Sequence, residues 1–168
     1  MSTFRYVCSC CGEEHIGLPA LGFSAPLFWR DADVAAHPDG NRIDSDLCVV
    51  NSEDYFIRCV LNMPIIDSDA MLGWGVWLSQ SKANFDLYRD VGAAEATPHR
   101  ITFGYLANRL PDYPDTLNMH AQAHWQSDGK RPIVELKETD HPLYRDCTAG
   151  ITRQRAIQFA QRVLHPDE

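Results

Sequence analysis

The segment from Leu117 to Gln126 constrains this chain's fold more than any other. Its side chains alternate. Leu117, Met119, Ala121, Ala123 and Trp125 take one parity, and Asn118, His120, Gln122, His124 and Gln126 take the other. Successive strand residues point to opposite faces, so the pattern predicts an antiparallel strand with one dry and one wet face. Asp128-Gly129 supplies a hairpin turn, and Pro132 to Thr139 reads as the partner strand. Further strands are expected at Phe4 to Cys8, Leu47 to Val50, Tyr55 to Met63 and Met71 to Leu78. Asn51-Ser52-Glu53-Asp54 is a polar turn of hairpin length, and Gly73 and Gly75 suit a strand against which a neighbour presses closely.

The helical signals are fewer. Lys82 to Val91 reads as a helix capped by Ser81 and stopped at Gly92. Ser24 to Ala36 reads as partly helical, with Ser24 as cap, Pro26 in the first turn and Pro38-Asp39-Gly40 as the stop. Phe103 to Leu110 fits strand or helix until Pro111 and Pro114 enforce a loop. The C-terminal segment is the clearest helix: Ala156, Ile157, Ala160, Val163 and Leu164 form one apolar stripe, and Pro166 ends it. The expectation is α+β, a mainly antiparallel sheet with a C-terminal helix and an N-terminal Cys-x-x-Cys-Gly knuckle spanning 4–19. No repeat or long linker divides the chain, so residues 1–168 are read as a single domain. At 168 residues it can bury about 70% of its unfolded surface without a staple.

Cys8-Ser9-Cys10-Cys11-Gly12-Glu13-Glu14-His15 carries recognisable inorganic chemistry. Two thiolates three residues apart grip one zinc ion while the backbone between them turns back, and Gly12 permits the positive φ such a turn requires. Cys10 then points away. A structural zinc needs two more ligands. His15 is near enough in sequence to fold back, Cys48 is the best distant candidate, and Cys59 is a weaker one. The bland reading leaves Cys8 and Cys11 as half-buried thiols and His15 as a surface residue. A redox dithiol ranks last, because nothing after Cys11 reads as the helix start that would lower a thiol pKa.

Composition narrows the partners. The formal net charge is −8, the opposite of what phosphate neutralisation needs, so no nucleic acid is expected. MSTFRYVCSCCGEEH has no apolar core of the signal-peptide kind, and no run approaches the roughly 20 apolar residues of a membrane span. The expected location is the cytoplasm, with no membrane partner, where six cysteines are metal ligands or small hydrophobes rather than disulfides.

Other candidates favour structural roles. His120 and His124 share a strand face but lie roughly 13 Å apart at ~3.4 Å per residue, too far to share an ion, and are read as solvated. Asp140-His141-Pro142-Leu143 invites an acid/base reading, yet adjacent residues rarely face each other, and His-Pro is read as the turn that starts a helix. Trp74 and Trp77 are read as core, and Arg153, Arg155 and Arg162 as the solvated face of the last helix. No Walker loop, GxGxxG, GxSxG or HExxH occurs.

Cys8-x-x-Cys11-Gly12-x-x-His15-x-Gly17-Leu18-Pro19 resembles the opening of the bacterial family known as Domain of Unknown Function 2199. Further matching blocks are Asp46-Leu47-Cys48, Phe56-Ile57-Arg58, Trp74-Gly75-Val76-Trp77-Leu78-Ser79, Asn84-Phe85 and Phe103-Gly104-Tyr105-Leu106. Leu110-Pro111-x-Tyr113-Pro114-x-Thr116, Arg131-Pro132 and Asp140-His141-Pro142-Leu143 complete the series in order. The resemblance implies that Cys8, Cys11, His15 and Cys48 belong to the family's pattern, whereas Cys10, Cys59 and Cys147 are peculiar to this sequence. It carries no activity. The leading expectation is a zinc-stabilised, non-catalytic domain binding another protein or a small ligand. Its rivals are a metal-dependent or His141-based acid/base enzyme and an acidic, immunity-type protein that neutralises a basic partner.

Overall fold

The computed structural model describes residues 3–167. The chain opens with a two-stranded antiparallel hairpin, β1 (Arg5–Val7) and β2 (Glu14–Ile16), with Tyr6 opposite His15. The larger sheet contains β3 (Leu21–Gly22), β4 (Arg42–Ile43), β5 (Leu47–Val50), β6 (Asp54–Pro64), β7 (Met71–Gln80), β8 (Ile101–Tyr105), β9 (His120–His124) and β10 (Ile133–Leu136). Three α-helices complete the fold: α1 (Lys82–Glu95), α2 (Pro142–Ala149) and α3 (Arg153–Leu164).

The α+β class and the C-terminal helix agree with the sequence, but the sheet is mixed rather than purely antiparallel. Its order is β3-β7-β6-β10-β9-β8, with β5 also on β6 and β4 on β5. The hairpin pairs β5–β6, β6–β7, β8–β9 and β9–β10 are antiparallel, while β10 runs parallel to β6 and β3 parallel to β7. Turn residues specify local hairpins, and they do so here: Asn51 and Ser52, then Asp128 and Gly129, all take positive φ. The two parallel pairs join strands far apart in sequence, where no turn signal reaches.

The sheet curls until β8 returns to β7. Leu78 and Leu106 form an antiparallel bridge, and the Ala107 N–H donates to the Trp77 carbonyl at 2.9 Å. The Tyr105 N–H donates to Ser79 Oγ at 2.8 Å, and the Gln80 amide to the Phe103 carbonyl at 3.2 Å. Gly104 makes this approach possible, since a Cβ there would sit 2.0 Å from the Ser79 carbonyl oxygen. Residues of odd parity on β6 (Ile57, Cys59, Leu61, Met63) face those of even parity on β7 (Leu72, Trp74, Val76, Leu78) in the main core, joined by Ala121, Ala123 and Trp125. A second core of Cys48, Val50, Phe56, Trp77 and Ala107 lies on the other face. Asn108 fastens the layers: its Oδ1 accepts from the Trp77 N–H at 2.8 Å and its Nδ2 donates to the Ala25 carbonyl at 3.0 Å.

The helices depart from the sequence reading in three places. Ser81 caps α1 through Asn84 N–H at 3.2 Å, but the helical turns resume past Gly92, which stands non-helical at φ 66°. Between Ser24 and Ala36 the regular structure is a short 3-10 helix, Leu27–Asp31, with Pro26 and not Ser24 at its cap. On α3 the buried face is Ala156, Phe159 and Ala160, while Val163 and Leu164 are 47% and 39% exposed. Phe159, absent from the predicted stripe, lies on this buried face and packs edge-on to Trp74 at 5.4 Å.

Candidate metal centre

The loop between β1 and β2 folds back on its first residue. The Cys8 N–H donates to the Glu13 carbonyl and the Gly12 N–H to the Cys8 carbonyl, both at 2.9 Å. Gly12 takes φ 77°, the left-handed conformation expected from the sequence. This curl turns the backbone N–H groups of Cys11 and Cys10 towards the Cys8 sulfur. Cys8 is 1% exposed. Burial pushes its thiol pKa up, but those two N–H bonds, a contact from the Cys11 thiol and the nearby His165 outweigh it and hold the pKa at about 6. A thiol that ionises so readily is prepared to be a metal ligand.

His15, on β2, stacks on Tyr6 at 5.3 Å and brings its Nε2 to 3.5 Å from Cys11 Sγ. From the opposite end of the chain, His165 closes α3 and places its ring 6.5 Å from His15, edge-on. Its backbone N–H donates to the Gln161 carbonyl at 2.8 Å, and its Nε2 is buried without a hydrogen-bond partner. Arg153 holds helix and hairpin together: its guanidinium lies 4.4 Å from the Phe4 ring and donates to the Arg5 carbonyl. As a result one donor atom from each of Cys8, Cys11, His15 and His165 lies within 4.8 Å of all the others. Two sulfurs and two imidazole nitrogens can hold one divalent metal ion. The Tyr6 phenol beside them is kept neutral by burial and then by Cys8 and Cys11, which all raise its pKa.

Of the four ligands named from sequence, the structure brings Cys8, Cys11 and His15 together and leaves Cys48 elsewhere. Cys48 is wholly buried in the second core on β5, and burial, then Asp44, pushes its thiol up to about 12. His165 stands with the other three. The sequence signalled only that a helix ends there, at His165-Pro166, and a helix end does not reveal which part of the chain it meets. Cys59 is buried in the main core, Cys147 lies half-buried on α2, and Cys10 is exposed in the loop.

The remaining candidates have structural partners. His141 caps α2: its Nδ1 accepts from the Leu143 N–H at 3.0 Å, so its Nε2 carries the proton and faces the Pro114 and Asp115 carbonyls at 3.1 and 3.2 Å. Both ring nitrogens are thus engaged in holding the start of α2 against the Pro114–Asp115 loop. Trp74 and Trp77 are core residues. The three arginines of α3 do more than meet solvent. Arg155 pairs with Asp146 at 3.0 Å and Arg162 with Asp112 at 2.7 Å, while Arg153 serves the hairpin.

Among the described residues no helix is long and apolar enough to cross a membrane. No curated protein and no solved structure matches the chain. A family model matches residues 7–151, a span that contains Cys8, Cys11, His15 and Cys48 and stops short of His165. By that match the chain belongs to the bacterial family described as "Uncharacterized protein conserved in bacteria (DUF2199)".

Proposed function

We propose that Cys8, Cys11, His15 and His165 bind one structural zinc ion that clasps the two ends of the chain, and that the protein is a zinc-stabilised, non-catalytic binding domain. The observation that carries this reading is the convergence of four donors within 4.8 Å from segments 150 residues apart. In tetrahedral zinc, bonds of about 2.0–2.3 Å set ligand atoms roughly 3.3–3.8 Å from one another, so the donors need close by only about an ångström. Four protein ligands leave no position for substrate water, which favours a structural over a catalytic ion. Reduced thiols suit the cytoplasm. Unfolded chain offers no such arrangement, so zinc affinity here is folding energy.

Metal analysis of the purified protein, followed by melting with and without a chelator, tests the reading. One zinc per chain, and a lower melting temperature once it is removed, are expected. Protein that purifies without zinc, or that melts unchanged after chelation, would end it.

A further inference from the structure

The closed sheet has a weak seam between β6 and β10. β10 meets β6 at a single register position, Ile133 opposite Val60, supported by the Val60 N–H donating to the Pro132 carbonyl at 2.8 Å. Beyond that point no register continues, although β10 stays paired with β9 through Leu136 and β6 with β7 through Pro64. The strands part, and α2 lies behind the gap. The result is a slot of about 520 Å³, within the range of roughly 300–1,000 Å³ typical of small-molecule sites. Its walls come from both strands, and its floor from Tyr144, Cys147 and Thr148 on α2.

We propose that this slot binds an uncharged, largely apolar small molecule carrying a hydrogen-bond donor. Pro64, Met71, Ile133 and Leu136 supply the apolar walls. Among the described residues no lysine or arginine lines the slot, so a bound anion would find no counter-charge there and would meet the Glu135 carboxylate instead. Glu135 offers a cation little, because it is 66% exposed and already lies 2.7 Å from His124 Nε2. The His124 Nε2 is itself buried against that carboxylate, so it offers a ligand nothing. Thr148 Oγ gives its proton to the Tyr144 carbonyl at 2.9 Å and keeps lone pairs for a ligand's donor, while the Asn62 amide can accept or donate. The floor stays uncharged, since burial, then Asp146, pushes the Cys147 thiol up to about 12.

This inference deepens the binding half of the reading above and rests on it, independently of zinc. Indole, which is neutral and apolar with one N–H, is the probe, titrated into the full chain and followed by backbone-amide NMR. Saturable shifts should be confined to the ends of β6 and β10 and to α2. Indole-3-acetate, the same ring with a carboxylate, should bind at least about tenfold more weakly, because its charge has no partner in the slot. Thr148→Trp and Met71→Trp, both at exposed edges of the slot, should each weaken indole at least about tenfold by filling it, with melting temperature unchanged. Scattered or non-saturating shifts, equal binding of indole-3-acetate, or indole binding that survives both substitutions overturns the proposal. Zinc content measured on the same samples separates failure of the slot from failure of the metal clasp.

Discussion

The closed sheet buries Ile57, Leu61, Val76, Trp77 and Leu78 almost completely, whereas the β1–β2 hairpin commits only Phe4, Tyr6 and Cys8 to the core. At about 1.5–3 kcal/mol for each large apolar side chain buried, the sheet has ample driving force. A hairpin with three-residue strands has little, and isolated two-stranded hairpins are marginal in water. The donors converge on this hairpin and the end of α3. The comparison teaches that a metal is worth most where a segment's own core is too small to hold it, and the clasp proposed above would also capture the end of α3.

The largest effect expected from breaking this comparison lies in the sheet. Leu78→Ala should cost about 2–5 kcal/mol, read from the denaturant midpoint, and should unfold hairpin and sheet together. Cys11→Ser should act differently. Hairpin amides should exchange roughly a hundredfold faster while those of β6 and β7 keep their protection, because a local clasp governs local opening. Equal loss of protection in both regions would show that the hairpin has no separate stability to lose.

Smaller effects sharpen the picture. His141→Ala should cost about 1 kcal/mol through loss of the α2 cap, with His141→Asn recovering most of it in chemical denaturation. Retention of full stability by the alanine variant would remove the cap from the account. The smallest effect is a slope. Burial, then the bond to Asp146 at 2.6 Å, raises the Tyr113 pKa, and burial likewise raises Tyr88 and Tyr6. Because the folded values lie above the unfolded ones, the stability these phenols add is complete below pH of about 10 and falls as pH rises through the folded values. Tyr113→Phe should flatten that alkaline decline. An unchanged slope would mean that its phenol contributes nothing to it.

Much of the sheet was legible because its signals are local. β5, β6 and β7 fall where β-branched and aromatic runs meet polar turns, and the alternation around Ala121 and Ala123 gives their buried face directly. Ser81 capping α1 and His141-Pro142 opening α2 were readable for the same reason. The mixed sheet was not, since β10 meeting β6 and β3 meeting β7 are decided by tertiary packing. In the candidate site, the Cys8–Gly12 turn and His15 were readable from spacing. Cys48 lies outside the candidate site because β5 faces it into the second core, whereas the end of α3 returns to the hairpin and puts His165 beside the other three.

X-ray absorption at the zinc edge of the protein as purified addresses the metal clasp most directly. The account predicts two sulfurs at about 2.3 Å and two imidazole nitrogens at about 2.0–2.1 Å around one zinc. A three-sulfur shell, bringing another cysteine into the place given to His165, or the absence of a zinc edge altogether, would contradict it.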